Sequence, residues 1–165
     1  MAKNKKISEQ GLELIKSFEG CKLTAYWDVN GYSIGYGHHA SDITKGMSIT
    51  QDVADEFLKK DVEKFEKAVN KLKYDFNQNQ FDALVDFAYN CGAGNLLKLT
   101  ANNTRSLKEI SHKIPAYNKA NGAILGGLVK RRAAEKQLYD TPIEEPIPDN
   151  CIICPKCGER IIIDG

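Results

Sequence analysis

Apolar residues recur every third position between residues 8 and 19. Leu12, Ile15 and Phe18 make one stripe of a helix that Ser8 is placed to cap and Gly20 to stop. From residue 22 the period changes to two. Leu23, Ala25 and Trp27 alternate along a strand, Asn30-Gly31 reads as a hairpin turn, and Tyr32, Ile34 and Tyr36 alternate along the returning strand. Asp42, Thr44, Lys45 and Gly46 then punctuate a polar loop. Thr50 caps a helix running to about Leu72, long enough to join two lobes. Val62, Phe65, Val69 and Leu72 form its apolar face, and Lys59, Lys60, Glu63, Lys64 and Lys67 its wet one. The next helix starts at Asn77 or Gln78, turns Phe81, Leu84, Val85 and Ala88 inward, and stops at Cys91-Gly92, which makes it the central helix of the core. Short helices are expected at 95–100, 104–113 and 115–120, then a turn at Asn121-Gly122 and a last helix from about Leu125 to Tyr139.

Prolines change the picture after that helix. Pro142, Pro146 and Pro148 interleave with Ile143, Glu144, Glu145 and Ile147, so residues 141–150 form a stiff linker of low helical tendency. It divides a body, residues 1–140, from a tail, residues 151–165. A chain of 165 residues that is 42% hydrophobic and 27% charged can bury one core and carry a small appendage. Its formal net charge of +1 hides an asymmetry, +4 on the body against −3 beyond residue 140. A body this weakly basic lacks the dense positive face of a nucleic-acid partner, but it suits an anionic polymer such as cell-wall material. No apolar run approaches the roughly 18 residues of a membrane span, so no membrane insertion is expected. The start, Met1-Ala-Lys-Asn-Lys-Lys, leads into an amphipathic segment instead of a signal peptide's apolar core, so retention in a cytoplasm is expected.

Two carboxylates and a hydroxyl gather in the first stretch: Glu19 at the end of the first helix, Asp28 at the end of the first strand, and Ser33 on the second. Glu19 follows Phe18 at a helix C-terminus, where the helix dipole disfavours a carboxylate, whereas Asp28 follows Trp27 on a strand. Dissimilar surroundings of this kind separate one acid from one base.

Phe18-Glu-Gly, Ala25-Tyr, Asp28 and Gly31-Tyr-Ser-Ile-Gly-Tyr-Gly-His38 resemble the active-site signature of the phage-type lysozymes, glycoside hydrolase family 24. Gln78-Asn-Gln-Phe-Asp-Ala-Leu-Val-Asp-Phe-Ala-Tyr-Asn-Cys-Gly92, Tyr117-Asn-Lys-Ala-Asn-Gly122 and Gly127-Leu-Val-Lys-Arg-Arg-Ala-Ala-Glu-Lys-Gln-Leu-Tyr139 are similar to that family's core helix and closing helix. The resemblance covers about residues 8 to 140. It implies an α+β, two-lobed lysozyme-like fold, with a small β-sheet lobe and a larger helical lobe joined by a long helix. It also implies hydrolysis of the bond between N-acetylmuramic acid and N-acetylglucosamine in bacterial peptidoglycan, needing no catalytic cofactor. Glu19 would be the general acid, Asp28 would position or activate water, and Ser33 would hold that water. Ser33 stands where threonine is usual, and it follows Asp28 by five positions where six is frequent. A lytic transglycosylase and a non-catalytic wall-binding module are the alternatives on the same scaffold, and a bacterial autolysin is a further one. Release from the host cytoplasm through a membrane pore made by another protein is also implied by the family.

Other residues near the signature read as structure. His38 is expected to pair with Asp61. Arg131 and Arg132 could pair with Glu19 or touch the glycan, but the expected division is one structural and one exposed residue. Tyr26 and Trp27 are expected to form strand core or cleft wall, with stacking on sugar as the other reading. Cys151, Cys154 and Cys157 cluster in the tail, where Cys-Pro-Lys-Cys-Gly158 resembles the knuckle of half a zinc ribbon, a small β-hairpin tail. These three thiols are candidate ligands for a structural zinc. A fourth ligand would come from a side chain, from water, or from a second copy, the last making the tail a homodimer contact. The other reading is a degenerate ribbon that binds nothing stably.

Overall fold

A computed structural model describes residues 4–143, together with the backbone of two short strands, Cys151–Ile153 and Arg160–Ile162. Helix α1 spans Glu9–Glu19, and the Ser8 side chain accepts from the Gly11 amide, as the cap requires. Gly20 ends it at φ 67, a left-handed conformation that glycine adopts without strain. The chain then forms an antiparallel sheet of β1 (Lys22–Asp28), β2 (Gly31–Gly35) and β3 (His38–His39), in that order. Asp28 pairs with Gly31, so the turn residues are Val29-Asn30, one position earlier than the Asn30-Gly31 that composition suggests. The far edge of β1 is covered by the loop after β3: Ala25 N–H donates to Met47 O at 2.8 Å, and Ile49 N–H to Leu23 O at 2.9 Å. Ile34 is fully buried in this lobe, but Trp27 is 67% exposed and meets Tyr32 edge-on, so it is neither core nor cleft wall.

Helix α2 (Gln51–Asn70) carries the chain out of the sheet lobe, with the Thr50 hydroxyl accepting from Val53 N–H at its start. At its beginning Ala54 packs on Gly35, where an added Cβ would stand 3.2 Å from the alanine methyl. Farther along, Leu58, Val62 and Val69 face the helical lobe. That lobe is built around α3 (Gln78–Cys91), which contacts α1, α2, α4 (Ala93–Leu99) and α6 (Gly126–Asp140). Every residue from Phe81 to Ala88 is buried. Sequestering side chains such as Phe81, Leu84 and Phe87 contributes roughly 1.5–3 kcal/mol each, which makes this the main source of stability. Asn77 and Gln80 cap α3 reciprocally, and Gly92 at φ 84 stops it, with α4 following at once.

Residues 115–120 do not form the helix expected there. Helix α5 (Leu107–Lys113) passes into a 3-10 turn, Ile114–Ala116, and then β4 (Lys119–Ala120) pairs with β5 (Ala123–Ile124). Pro115 lacks the N–H that a longer helix would need, and Asn121 and Gly122, at φ 50 and 81, adopt the paired left-handed turn of a tight hairpin. In the tail, β6 (Cys151–Ile153) pairs antiparallel with β7 (Arg160–Ile162), in the register Cys151 to Ile162. Cys154 and Cys157 lie outside the described residues, as does the side chain of Cys151, so the proposed zinc ligands are not among them.

Candidate active site

A cleft of about 420 Å³ opens between the sheet and the helical lobe, lined by Glu19, Tyr26, Asp28, Tyr36, Gly37, His39, Asp61, Lys64, Phe65, Tyr89 and Asn90. The two signature carboxylates reach it from different elements. Glu19 arrives from the last turn of α1, and Gly20 turns the chain away behind it. Asp28 sits at the tip of β1, where its Oδ1 accepts from the Val29 amide at 2.8 Å. Tyr26 lies within the field of both: burial raises the pKa of its phenol, and the charges of Asp28 and then Glu19 add to that rise. Lys22 Nζ stands 4.0 Å above the Tyr26 ring. Tyr89 forms the floor, donating from its hydroxyl to Tyr36 O at 3.0 Å, and burial first, then Glu19 and Asp61, raise its pKa well above the ordinary phenol value.

His38 pairs through Nδ1 with Asp61 at 2.9 Å and stacks on Phe57, the structural pairing expected of it. Ser33 is placed differently from the carboxylates. It is 1% exposed, does not line the cleft, and its Oγ lies 3.4 Å from Nδ1 of His39, which does line it.

Behind Glu19 the helical lobe carries a buried charge cluster. Arg131 on α6 holds Glu19 Oε1 through Nη1 at 2.6 Å, and grips Asp86 with Nη2 at 2.6 Å and Nε at 3.3 Å. Arg132 binds Glu135, Asn90 Oδ1 at 2.9 Å, and the Cys91 sulfur. Both arginines are buried, at 4% and 0% exposure, which corrects the expectation that one would be solvated. Asp86 and Glu135 are fully buried as well, so two guanidiniums meet two carboxylates out of water, and Glu19 attaches at the cleft end. Burial, with Asp86 alongside, pushes the Glu135 carboxyl above the usual carboxylate range, against the opposing pull of Arg132 and Arg131. Asp86, Glu135, His39 and Tyr89 were not singled out from the sequence. A signal existed for Asp86: an acid in Phe81-Asp-Ala-Leu-Val-Asp-Phe-Ala88, a run with no wet face, must be buried and therefore paired.

A small antiparallel sheet joined by one long helix to a body built around a buried helix, with a carboxylate-lined cleft between, defines a lysozyme-like α+β protein. The chain belongs to the phage lysozyme family, whose model matches residues 16–135. It is 44% identical over 144 residues to the endolysin of Bacillus phage PZA, covering 82% of this chain and 55% of that protein. The chain thus spans about half the length of that relative. Among solved structures, the muramidase domain of SpmX from Asticaccaulis excentricus superposes with a TM-score of 0.74 at 37% identity, covering 83% of this chain and 99% of that one. An endolysin from Escherichia coli O157:H7 phage FAHEc1 gives 0.73 at 35% identity, covering 84% and 96%.

Proposed function

We propose that this chain is an endolysin that hydrolyses the β-1,4 bond between N-acetylmuramic acid and N-acetylglucosamine in bacterial peptidoglycan. The observation that carries this reading is the cleft itself, in which Glu19 and Asp28 come from separate elements and Glu19 alone is anchored by a buried arginine. Glu19 protonates the departing glycosidic oxygen. Asp28, exposed at the strand tip, accepts a proton from water and steadies the positive charge that develops on the sugar ring. Ser33 belongs to this machinery from behind His39. Family membership and the likeness to a muramidase domain support the same substrate. No helix among the described residues is long and apolar enough to cross a membrane; on this reading the enzyme reaches the wall through a pore made by another protein.

The test is mass analysis of soluble fragments released from purified peptidoglycan by the unmodified chain and by Glu19→Gln. Fragments ending in hydrated, reducing muramic acid, and only from the unmodified chain, are the expected result. Anhydro ends would assign a lytic transglycosylase instead, and a folded chain that binds wall but releases nothing would be a binding module.

For the tail, the β6–β7 pairing supports a zinc-knuckle reading, because in sequence Cys154 and Cys157 fall between the two paired strands and Cys151 opens the first. On that reading residues 1–140 are catalytic, 141–150 are linker, and 151–165 hold a structural zinc with three thiolates, the fourth ligand coming from elsewhere or from a second copy of the chain.

A further inference from the structure

An imidazole stands between the Ser33 hydroxyl and the cleft. In the sheet Ser33 pairs with Tyr26 on one side and His39 on the other, so these three side chains share a face; Asp28, paired with Gly31 two positions from Ser33, shares it too. Ser33 is buried at its centre and His39 is exposed at its rim, on the cleft. Gly31 makes this arrangement possible: the His39 ring lies over it so closely that a Cβ there would stand 2.8 Å from Cε1. The ring turns Nδ1 to the Ser33 hydroxyl at 3.4 Å, which leaves Nε2 on its opposite edge.

We propose that His39 carries the function of Ser33 into the cleft. The Ser33 O–H donates to Nδ1, which places the proton of the neutral imidazole on Nε2, and the Nε2–H then donates to the water that Asp28 orients. A carboxylate only accepts hydrogen bonds, so it fixes one O–H of that water and leaves its oxygen free to swing. A donor on the same sheet face supplies the second anchor, and the serine behind it sets the tautomer, as outer partners of histidine do generally. His39 is thus the group that meets the reacting water, and Ser33 is a positioning residue acting through it. No proton changes hands in this step.

The inference rests on the glycan-cleaving activity proposed above, and two measurements separate their fates. Long-range ¹H–¹⁵N spectra of the unmodified chain, at a pH where the ring is neutral, report the tautomer directly. Protonation at Nε2, lost to a tautomer mixture in Ser33→Ala, is expected; protonation at Nδ1 overturns the proposal whatever the activity. In the fragment-release assay, His39→Ala should lower kcat about tenfold or more with little change in KM, in keeping with loss of a positioned donor. His39→Gln, whose amide reaches the Nε2 position, should recover most of this loss, and His39→Asn, which reaches only the Nδ1 position, should not. Combining Ser33→Ala with His39→Ala should cost no more than His39→Ala alone, since both remove one path. Unimpaired turnover in a folded His39→Ala, or losses that multiply in the double variant, would overturn the role of His39 while leaving the activity standing. No fragments from the unmodified chain would instead remove the activity, and the tautomer would still decide whether Ser33 sets His39.

Discussion

Arg131 spreads one guanidinium over two carboxylates in unlike surroundings, Asp86 wholly out of water and Glu19 at the cleft. Removing it strands a buried charge. Arg131→Ala should therefore cost about 3–5 kcal/mol of stability by chemical denaturation, far more than a solvated arginine would. The same variant should impair cleavage beyond its effect on folding, because Glu19 loses the group that fixes its rotamer. At this scale the sequence was half legible. Glu19 and Asp28 stand out in the sequence because their flanking residues are distinctive, and the structure places both on the cleft. The fate of Arg131 and Arg132 does not, because consecutive helical residues point about 100° apart and normally divide between core and solvent. Here Asp86 reaches Arg131 from α3, a contact that no local pattern gives, while Glu135 takes Arg132 three positions along α6, a local spacing that says nothing of whether the pair is buried.

Between elements, two contacts set how α1 sits on its neighbours. Gly11 lets α1 approach α3: an added Cβ would fall 2.6 Å from Ile7 Cγ1 and 2.8 Å from Asp82 Cβ. Alanine's better helix propensity is worth up to about 1 kcal/mol, but Asp82 is held by the Ser8 amide and hydroxyl and cannot retreat. The clash should win, so Gly11→Ala is expected to lose about 1–2 kcal/mol, read as a lower thermal midpoint. On the other flank Lys16 binds Asp55 of α2 at 2.8 Å, and that hydrogen bond holds the Asp55 carboxyl below its ordinary value. A depressed carboxylate stabilises the fold fully above the unfolded value near 4 and ceases to do so as pH falls through the folded value. Asp55→Asn should thus cost roughly 0.5 kcal/mol at pH 7, this pair being partly exposed, and the gap in thermal midpoint should close as pH falls below the unfolded value and through the depressed folded one. The helices themselves were readable because their signals are local: Ser8, Thr50 and Asn77 cap, and Gly20 and Gly92 stop. The two-residue strands β3, β4 and β5 were not, since each exists only by virtue of its partner.

For the molecule as a whole, the family match at residues 16–135 falls within the proposed body, whose end near residue 140 is inferred from the charge and proline pattern. The tail is the part whose role rests on the cysteine spacing. Metal analysis of the purified full chain should find about one zinc per knuckle, or one per two chains if copies share it, and Cys154→Ser should abolish it. Equal metal content in both proteins, or none in either, would discard the zinc knuckle. The bond from Arg131 to Glu19 spans 112 positions. During synthesis Glu19 and Asp28 leave the ribosome early, but the guanidinium that seats Glu19 arrives only with the last helix of the body. Until then Glu19 lacks its buried partner, so a chain stalled before α6 carries that carboxylate without the anchor that fixes it.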